Sequence, residues 1–177
     1  MTDDDVVAAA KRGEPEAWRE LYRAHAGRLL VWLETRSGPD SAVSAEDILA
    51  ETWLVAARRV HEFDGDSDAF AGWLFGIGRR LAANNRRRFG RRRTEPTGLH
   101  LVEVATEGPE PAVTNLDWVR TTLASLPRRE RDVLLCMEVV GLSTSDTAAA
   151  LSMSESAVRV ARHRGLTKLR RSVTAVS

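Results

Sequence analysis

The residues with the clearest chemistry in this sequence are arginines, which cluster in two blocks. Residues 79–93 carry eight arginines and no acidic residue, and residues 156–177 carry six basic residues and no acidic one. The other segments are net acidic, so 26 basic and 25 acidic residues leave a formal net charge of only +1. Arginine suits paired contacts to phosphate and guanine, and block charge of this kind is typical of polyanion contacts. The near-neutral total therefore conceals two candidate nucleic-acid-binding segments.

The first basic block is interleaved with aromatic residues, since residues 70–93 read FAGWLFGIGRRLAANNRRRFGRRR. Single-stranded nucleic acid is bound by base stacking on aromatic rings beside a basic track, and asparagine amides can read base edges. Trp73 and Ile77 also have the spacing of core residues, whereas Phe70, beside the stretch FDGDSD, is predicted to be a stacking residue. The candidate single-strand contacts are Phe70, Trp73, Arg79, Arg80, Asn84, Asn85, Arg87 and Arg88.

Catalytic chemistry has little support in the sequence. The four histidines are far apart, and there is no Cys-x-x-Cys, no glycine-rich phosphate loop and no nucleophile elbow. Asp47 and Glu51 form a pair of carboxylates one helical turn apart, which could suggest acid–base catalysis. A solvated surface, or one that meets a basic partner, is the simpler interpretation of that pair. We therefore expect no enzyme, no metal site and no cofactor.

Length and composition narrow the class of protein. A chain of 177 residues with 43% hydrophobic residues can form packed cores. It has no apolar run of about 18 residues that could span a membrane, and its acidic N-terminus lacks the apolar core of a secretory signal. The single cysteine, Cys136, fits a reducing compartment. These features predict a cytoplasmic protein.

The periodicity predicts an all-α protein with two small helical domains. Pro15 begins a helix over residues 14–36, Ser44 caps a second helix, and Asp66 or Ser67 caps a third. Residues 94–114 hold three of the six prolines and no basic residue, which is typical of an interdomain linker. We therefore expect one domain over residues 1–93, a flexible acidic linker over 94–114 and a second domain over 115–177.

The second domain carries a helix-turn-helix pattern. Pro127 begins a helix that Gly141 closes, Ser143 caps a short helix, and a three-residue turn leads into a basic helix from about residue 155. In such motifs the second helix enters the major groove. At about 100° per residue, Val158, Gly165 and Leu169 face the core and Arg162 lies at the edge of that face. The candidate duplex contacts are Arg159, His163, Arg164, Ser156 and Arg162.

Three stretches together resemble the extracytoplasmic-function (ECF) group of bacterial RNA polymerase sigma factors. They are SAEDILAETWLVAARRVHEF, DAFAGWLFGIGRRLAANNRRR and LASLPRRERDVLLCMEVVGLSTSDTAAALSMSESAVRVARHRGLTKLRR, which occur in the order of that family. The resemblance covers about residues 14–93 and 115–171. The sequence departs from the family pattern at Ala157, where threonine is usual, and at Val160, where a polar residue is usual.

The resemblance implies a transcription initiation factor that brings core RNA polymerase to promoters. Its first domain would bind polymerase and recognise and melt the −10 element, with a base flipped near Phe70 and Asn84. Its second domain would bind the duplex −35 element. The family also implies an anti-sigma partner, and the lack of a long apolar run predicts no membrane insertion. The implied polymerase contacts are Asp47, Ile48, Glu51, Trp53 and Arg58.

Two other functions remain as alternatives. A stand-alone helix-turn-helix regulator would explain residues 115–177, but it would leave the aromatic–arginine stretch and the acidic linker without a role. A helical interaction protein that does not bind DNA would leave both basic blocks unexplained.

Overall fold

The computed structural model describes residues 3–36, 43–92 and 116–174, and within these ranges it is helical without strands. This confirms the all-α prediction. None of the helices in those ranges combines the length and hydropathy that a bilayer span requires. The helices are α1 (Asp3–Lys11), α2 (Pro15–Arg36), α3 (Ala45–Arg59), α4 (Ser67–Arg92), α5 (Leu116–Ala124), α6 (Arg128–Leu134), α7 (Thr144–Leu151) and α8 (Glu155–Thr174).

Local capping chemistry sets several of the helix ends. The side chains of Ser44, Asp66 and Ser143 accept hydrogen bonds from backbone N–H groups three residues ahead, at 3.1, 3.0 and 3.0 Å. Gly141, with φ +72°, follows a π-helical stretch that extends α6, and Ser152, with φ 54°, ends α7. These ends agree with the predicted ones because each depends on residues close in sequence.

Helices α1 to α4 form the N-terminal unit around large apolar side chains. Trp32 from α2 meets Phe75 from α4 with ring centroids 5.9 Å apart, and Leu29 and Leu74 are fully buried beside them. Helix α1 was not predicted from the sequence, yet it contributes to this core. Val6, Val7, Ala9 and Ala10 are all buried.

Helices α5 to α8 form the C-terminal unit, which contains the predicted helix-turn-helix. Val158 of α8 is fully buried, and Gly165 lies so close to Leu134 that a Cβ there would be 2.9 Å from its Cδ1. The predicted core face of α8 is therefore confirmed. Residues 94–114, predicted to be the linker, lie outside the described residues.

The two units pack against each other, mainly through α4 and α7. The backbone N–H of Gly72 donates to Asp146 Oδ1 at 3.1 Å in a buried position. Arg28 of α2 donates to the carbonyl oxygens of Val140 and Gly141, both at 2.9 Å. The buried side chains of both units consequently belong to one continuous core.

Candidate nucleic-acid interface

Helix α8 presents a basic outer face, because α6 and α7 cover only its opposite side. Arg159, His163 and Arg164 are exposed, whereas Val158 and Ala161 are buried. Arg159 Nη1 lies 3.0 Å from Glu155 Oε2 one turn earlier. This ion pair is exposed, so it is weak and leaves Arg159 available to a partner. The outer face therefore has the composition that the recognition helix of a helix-turn-helix requires.

Arg162 occupies a different position from the other arginines of α8. Its Nε donates to Glu138 Oε1 at 2.6 Å, and this hydrogen bond raises the pKa of Arg162. Glu138 belongs to the π-helical stretch after α6, so the pairing draws the guanidinium toward the body of the unit. Arg162 is nevertheless exposed, so its predicted contact with DNA stays a prediction.

A groove of about 290 Å³ runs between the N-terminal ends of α6 and α8. Val160, which is 50% exposed, lies on its wall and was not among the residues predicted to contact DNA. Val160 lies about 200° around the helix from the core residue Val158. This outward position is the sequence signal that could have identified Val160 as a DNA contact. The residues that frame the groove include Pro127, Arg129, Ser156, Ala157, Val160 and Arg164.

Helix α4 carries the second basic surface. Trp73, Arg80, Asn84 and Arg87 fall within about 60° of arc on one face at the helical repeat. Trp73 is half-buried, and the other three are exposed, as is Arg88 at the edge of this face. We call Trp73, Arg80, Asn84, Arg87 and Arg88 the α4 stripe. It combines one aromatic ring with an amide and three guanidinium groups.

Two further residues of α4 that were predicted to bind single strands lie outside this stripe. Arg79 is half-buried, and its Nη2 donates to Ser152 Oγ at 2.7 Å in the turn between α7 and α8. Burial, followed by the nearby charge of Arg80, lowers the pKa of Arg79. Arg79 thus helps to join the two units. Asn85 is half-buried on another side of the helix.

Phe70 is fully buried, so the prediction that it is an accessible stacking residue is wrong in this conformation. Its ring lies 5.9 Å from that of Phe63, 5.6 Å from that of Trp73 and 5.6 Å from that of His25. Phe70 belongs to the first turns of α4, where that face of the helix packs onto α2 and α3. The same environment lowers the pKa of His25 to about 4, chiefly through burial.

Helix α3 exposes a face that begins with the predicted carboxylate pair. Asp47, Glu51 and Arg58 are exposed and aligned, and Leu54 lies among them with 59% of its surface exposed. We call Asp47, Glu51, Leu54 and Arg58 the α3 face. Leu54 was missed, although its position off the buried stripe of α3 could have indicated it.

The other two predicted polymerase contacts on α3 are less accessible. Ile48 is only 4% exposed, because it lies on the side of α3 that packs into the core. The expectation that Ile48 contacts a partner is therefore not supported. Trp53 is half-buried, with its ring 5.1 Å from Tyr22 and 6.5 Å from Trp18.

The described residues contain no group of three or more His, Cys, Asp or Glu side chains that could hold a metal ion. Cys136 is fully buried, and burial raises the pKa of its thiol to about 12. A thiol that remains protonated at neutral pH is a poor nucleophile.

Comparison with protein families places both units. Residues 21–93 match the model of sigma-70 region 2, and residues 116–169 match the model of sigma-70 region 4. ECF RNA polymerase sigma factor SigD of Mycobacterium tuberculosis is 33% identical over 179 residues, covering 97% of this chain and 84% of SigD. ECF sigma factor SigF of Caulobacter vibrioides is 32% identical over 159 residues, covering 89% of this chain and 86% of SigF.

Solved structures agree with these matches. CnrH, solved in complex with the cytosolic domain of CnrY, is similar with a TM-score of 0.70 and 25% identity, covering 99% of each chain. The fold is also that of the sigma factor RpoE of Bartonella quintana, with a TM-score of 0.64 over 88% of this chain and 96% of RpoE. With both regions present in order and relatives matched along nearly the whole chain, the protein belongs to the ECF RNA polymerase sigma factors, which direct core polymerase to promoters.

Proposed function

We propose that the two helical units divide the work of promoter recognition. The unit over residues 1–93 binds core RNA polymerase and recognises and melts the −10 element, residues 94–114 link the units, and the unit over 115–177 binds the duplex −35 element. The observation that carries the proposal is the outer face of α8, where Arg159, His163 and Arg164 are exposed in the unit that matches region 4. Basic side chains there can reach base edges and phosphates in the major groove.

The α4 stripe is the surface we assign to the separated strand of the −10 element. Trp73 offers a partly accessible ring for stacking, and Asn84 offers donor and acceptor atoms for a base edge. Arg80, Arg87 and Arg88 supply the positive track that follows a sugar–phosphate backbone. The docking of α7 supports this choice, since it covers an adjoining side of α4 around Gly72 and Arg79 and leaves Arg80, Asn84 and Arg87 exposed.

The α3 face is the surface we assign to core polymerase. Asp47 and Glu51 carry negative charge one turn apart, and exposed Leu54 offers apolar area of the kind that protein interfaces bury. A partner with a basic surface around an apolar centre fits this arrangement. Electrostatic attraction of this kind speeds association more than it adds to affinity.

Regulation by an anti-sigma factor is part of the same proposal. CnrH was solved with the cytosolic domain of CnrY, and RpoE of Bartonella quintana was solved with the anti-sigma factor NepR. By analogy we expect a protein partner that controls access of this chain to polymerase. Since its polymerase partner acts on the bacterial chromosome, we place the protein in the cytoplasm, and we expect it to have no catalytic activity of its own.

The test is transcription from a promoter library by core polymerase with and without this chain. We expect selective initiation from promoters that share a −10 and a −35 element. A stand-alone regulator would instead bind duplex DNA without polymerase and would leave the set of initiated promoters unchanged, which would overturn the proposal.

Two variants with opposite expectations sharpen this test. Leu54→Asp should weaken co-purification with core polymerase because it places a charge in the assigned interface. Arg159→Ala should preserve polymerase binding but reduce discrimination between intact and scrambled −35 elements, by about 1–3 kcal/mol if one base contact is lost. If both variants lose polymerase binding equally, the division of labour between the units is wrong.

A further inference from the structure

Val160 is an apolar residue in a basic, solvent-facing environment. It is 50% exposed, and with Tyr22, Leu54 and Trp118 it belongs to the small set of large hydrophobic residues in the described ranges that are well exposed. A valine this exposed contributes little to the core of the unit and has only modest helix propensity. Stability of the fold therefore does not explain a valine at this position, and a role in binding does.

The position of Val160 on α8 is the one from which side chains reach the bases. Helix α8 begins at Glu155, so Val160 lies in its second turn, and the N-terminal part of a recognition helix contacts base edges. At about 100° per residue Val160 lies between Ser156 on one side and Arg164 on the other. Half-buried Ala157, one turn earlier, lies beside it on the wall of the same groove.

The groove around Val160 is basic at its rim and apolar within. Arg129 of α6 and Arg164 of α8 supply positive charge, and Val160 and Ala157 supply the apolar wall. Glu130 also lines the groove, but its carboxylate is paired with Lys168 Nζ at 2.8 Å. The two arginines are suited to phosphates, which position a protein on DNA without reading its sequence. The apolar wall needs a different occupant, and the edge of a base pair in the major groove offers one prominent apolar group, the 5-methyl of thymine.

We propose that Val160, with Ala157 beside it, contacts the 5-methyl group of a thymine in the −35 element and so determines specificity at that base pair. This inference rests on the proposed role of the C-terminal unit. The contact excludes water from one methyl group, which favours thymine over cytosine at this position without any hydrogen bond. Arg159, His163 and Arg164 hold α8 in the register that brings Val160 to the base.

The test removes only the methyl group from the DNA. The −35 sequence preferred by the holoenzyme is first selected from a randomised library, and each of its thymines is then replaced in turn by deoxyuridine. We expect one replacement to weaken promoter binding about fourfold, the factor that corresponds to one buried methyl group. In the Val160→Ala holoenzyme the same replacement should change binding by less than about 1.5-fold, because the two γ-methyl groups that contact the thymine methyl are no longer present.

Two controls make the outcome decisive. The Trp118→Ala variant removes another exposed apolar residue, on α5, and should retain the full response to deoxyuridine. Val160→Thr keeps one methyl group and should give an intermediate response. The inference is wrong if the selected element contains no thymine that responds, or if Val160→Ala retains the response. Either of these results would leave specific −35 binding intact, so it would refute only the inference about Val160. A holoenzyme without −35 selectivity would instead refute the proposed function.

Discussion

The contact between Gly72 and α7 allows a quantitative prediction about the docking of the two units. A Cβ at position 72 would lie 2.8 Å from Asp146 Cα, 2.9 Å from Asp146 O and 2.9 Å from Ala149 Cβ. Two of these atoms belong to the backbone, so no rotamer change can relieve the overlap. Gly72→Ala must therefore push α4 and α7 apart by several tenths of an ångström.

Three contributions determine how much Gly72→Ala should lower the free energy of unfolding. Overpacking of this kind costs about 1–3 kcal/mol, and weakening the 3.1 Å hydrogen bond from Gly72 N to Asp146 Oδ1 costs about 1 kcal/mol more. Alanine recovers about 1 kcal/mol through its higher helix propensity. We therefore expect a net loss of about 1–3 kcal/mol in the free energy of unfolding.

Gly76 provides a matched control on the same helix. A Cβ there would lie 3.8 Å from Ala149 O and 3.9 Å from Ala150 Cα, which is ordinary contact. Gly76→Ala should thus stabilise the protein by about 0.5–1 kcal/mol through helix propensity alone.

Urea unfolding followed by circular dichroism measures both variants, and small-angle X-ray scattering reports whether the units separate. We expect a lower unfolding midpoint only for Gly72→Ala, since a shift of several tenths of an ångström scarcely changes the radius of gyration. Equal stabilities for the two variants would refute the reasoning that a close backbone approach at Gly72 holds the units together.

Two other predictions concern buried titratable side chains. Burial lowers the pKa of His25 from 6.5 to about 4, so between these pH values the unfolded chain binds a proton that the folded chain does not. As the pH is lowered from about 6.5 to about 4, the free energy of unfolding should therefore decrease by up to about 3 kcal/mol from this group. His25→Gln should flatten the slope of unfolding free energy against pH, and an unaltered slope would contradict this. The Cys136 thiol, whose pKa burial raises to about 12, should react with an aromatic disulfide reagent at least about 100-fold more slowly in the folded protein than in urea. Rapid labelling of the folded chain would show that the thiol is accessible.

Features set by neighbouring residues could be predicted from the sequence. The caps at Ser44 and Ser143 each need one side chain and an N–H three residues away, and the end at Gly141 needs one residue that tolerates a positive φ. The outward direction of Arg159 and His163 follows from the helical repeat once the core face of α8 is known.

Exposure of individual side chains on α3 and α4 was harder to predict. Phe70 and Ile48 were expected to meet partners, but the helices packed around them bury both. Leu54 was passed over, yet it is well exposed, because no helix of the described chain covers that side of α3. The ion-pair partner of Arg162 could not be predicted from the sequence either. Glu138 is 24 residues away, and the two side chains meet only because α6 packs against α8.

By itself, the sequence determined the helical class, the two basic blocks, the helix-turn-helix and the resemblance to a sigma factor, because these depend on composition, periodicity and short-range spacing. Only the tertiary structure decided how α4 meets α7 and which side of α4 remains for a nucleic acid. Gly72 and Asp146 are 74 residues apart, and their hydrogen bond depends on the shapes of two complete helix surfaces. No local rule encodes such a fit, since it arises when several helices bury apolar area together.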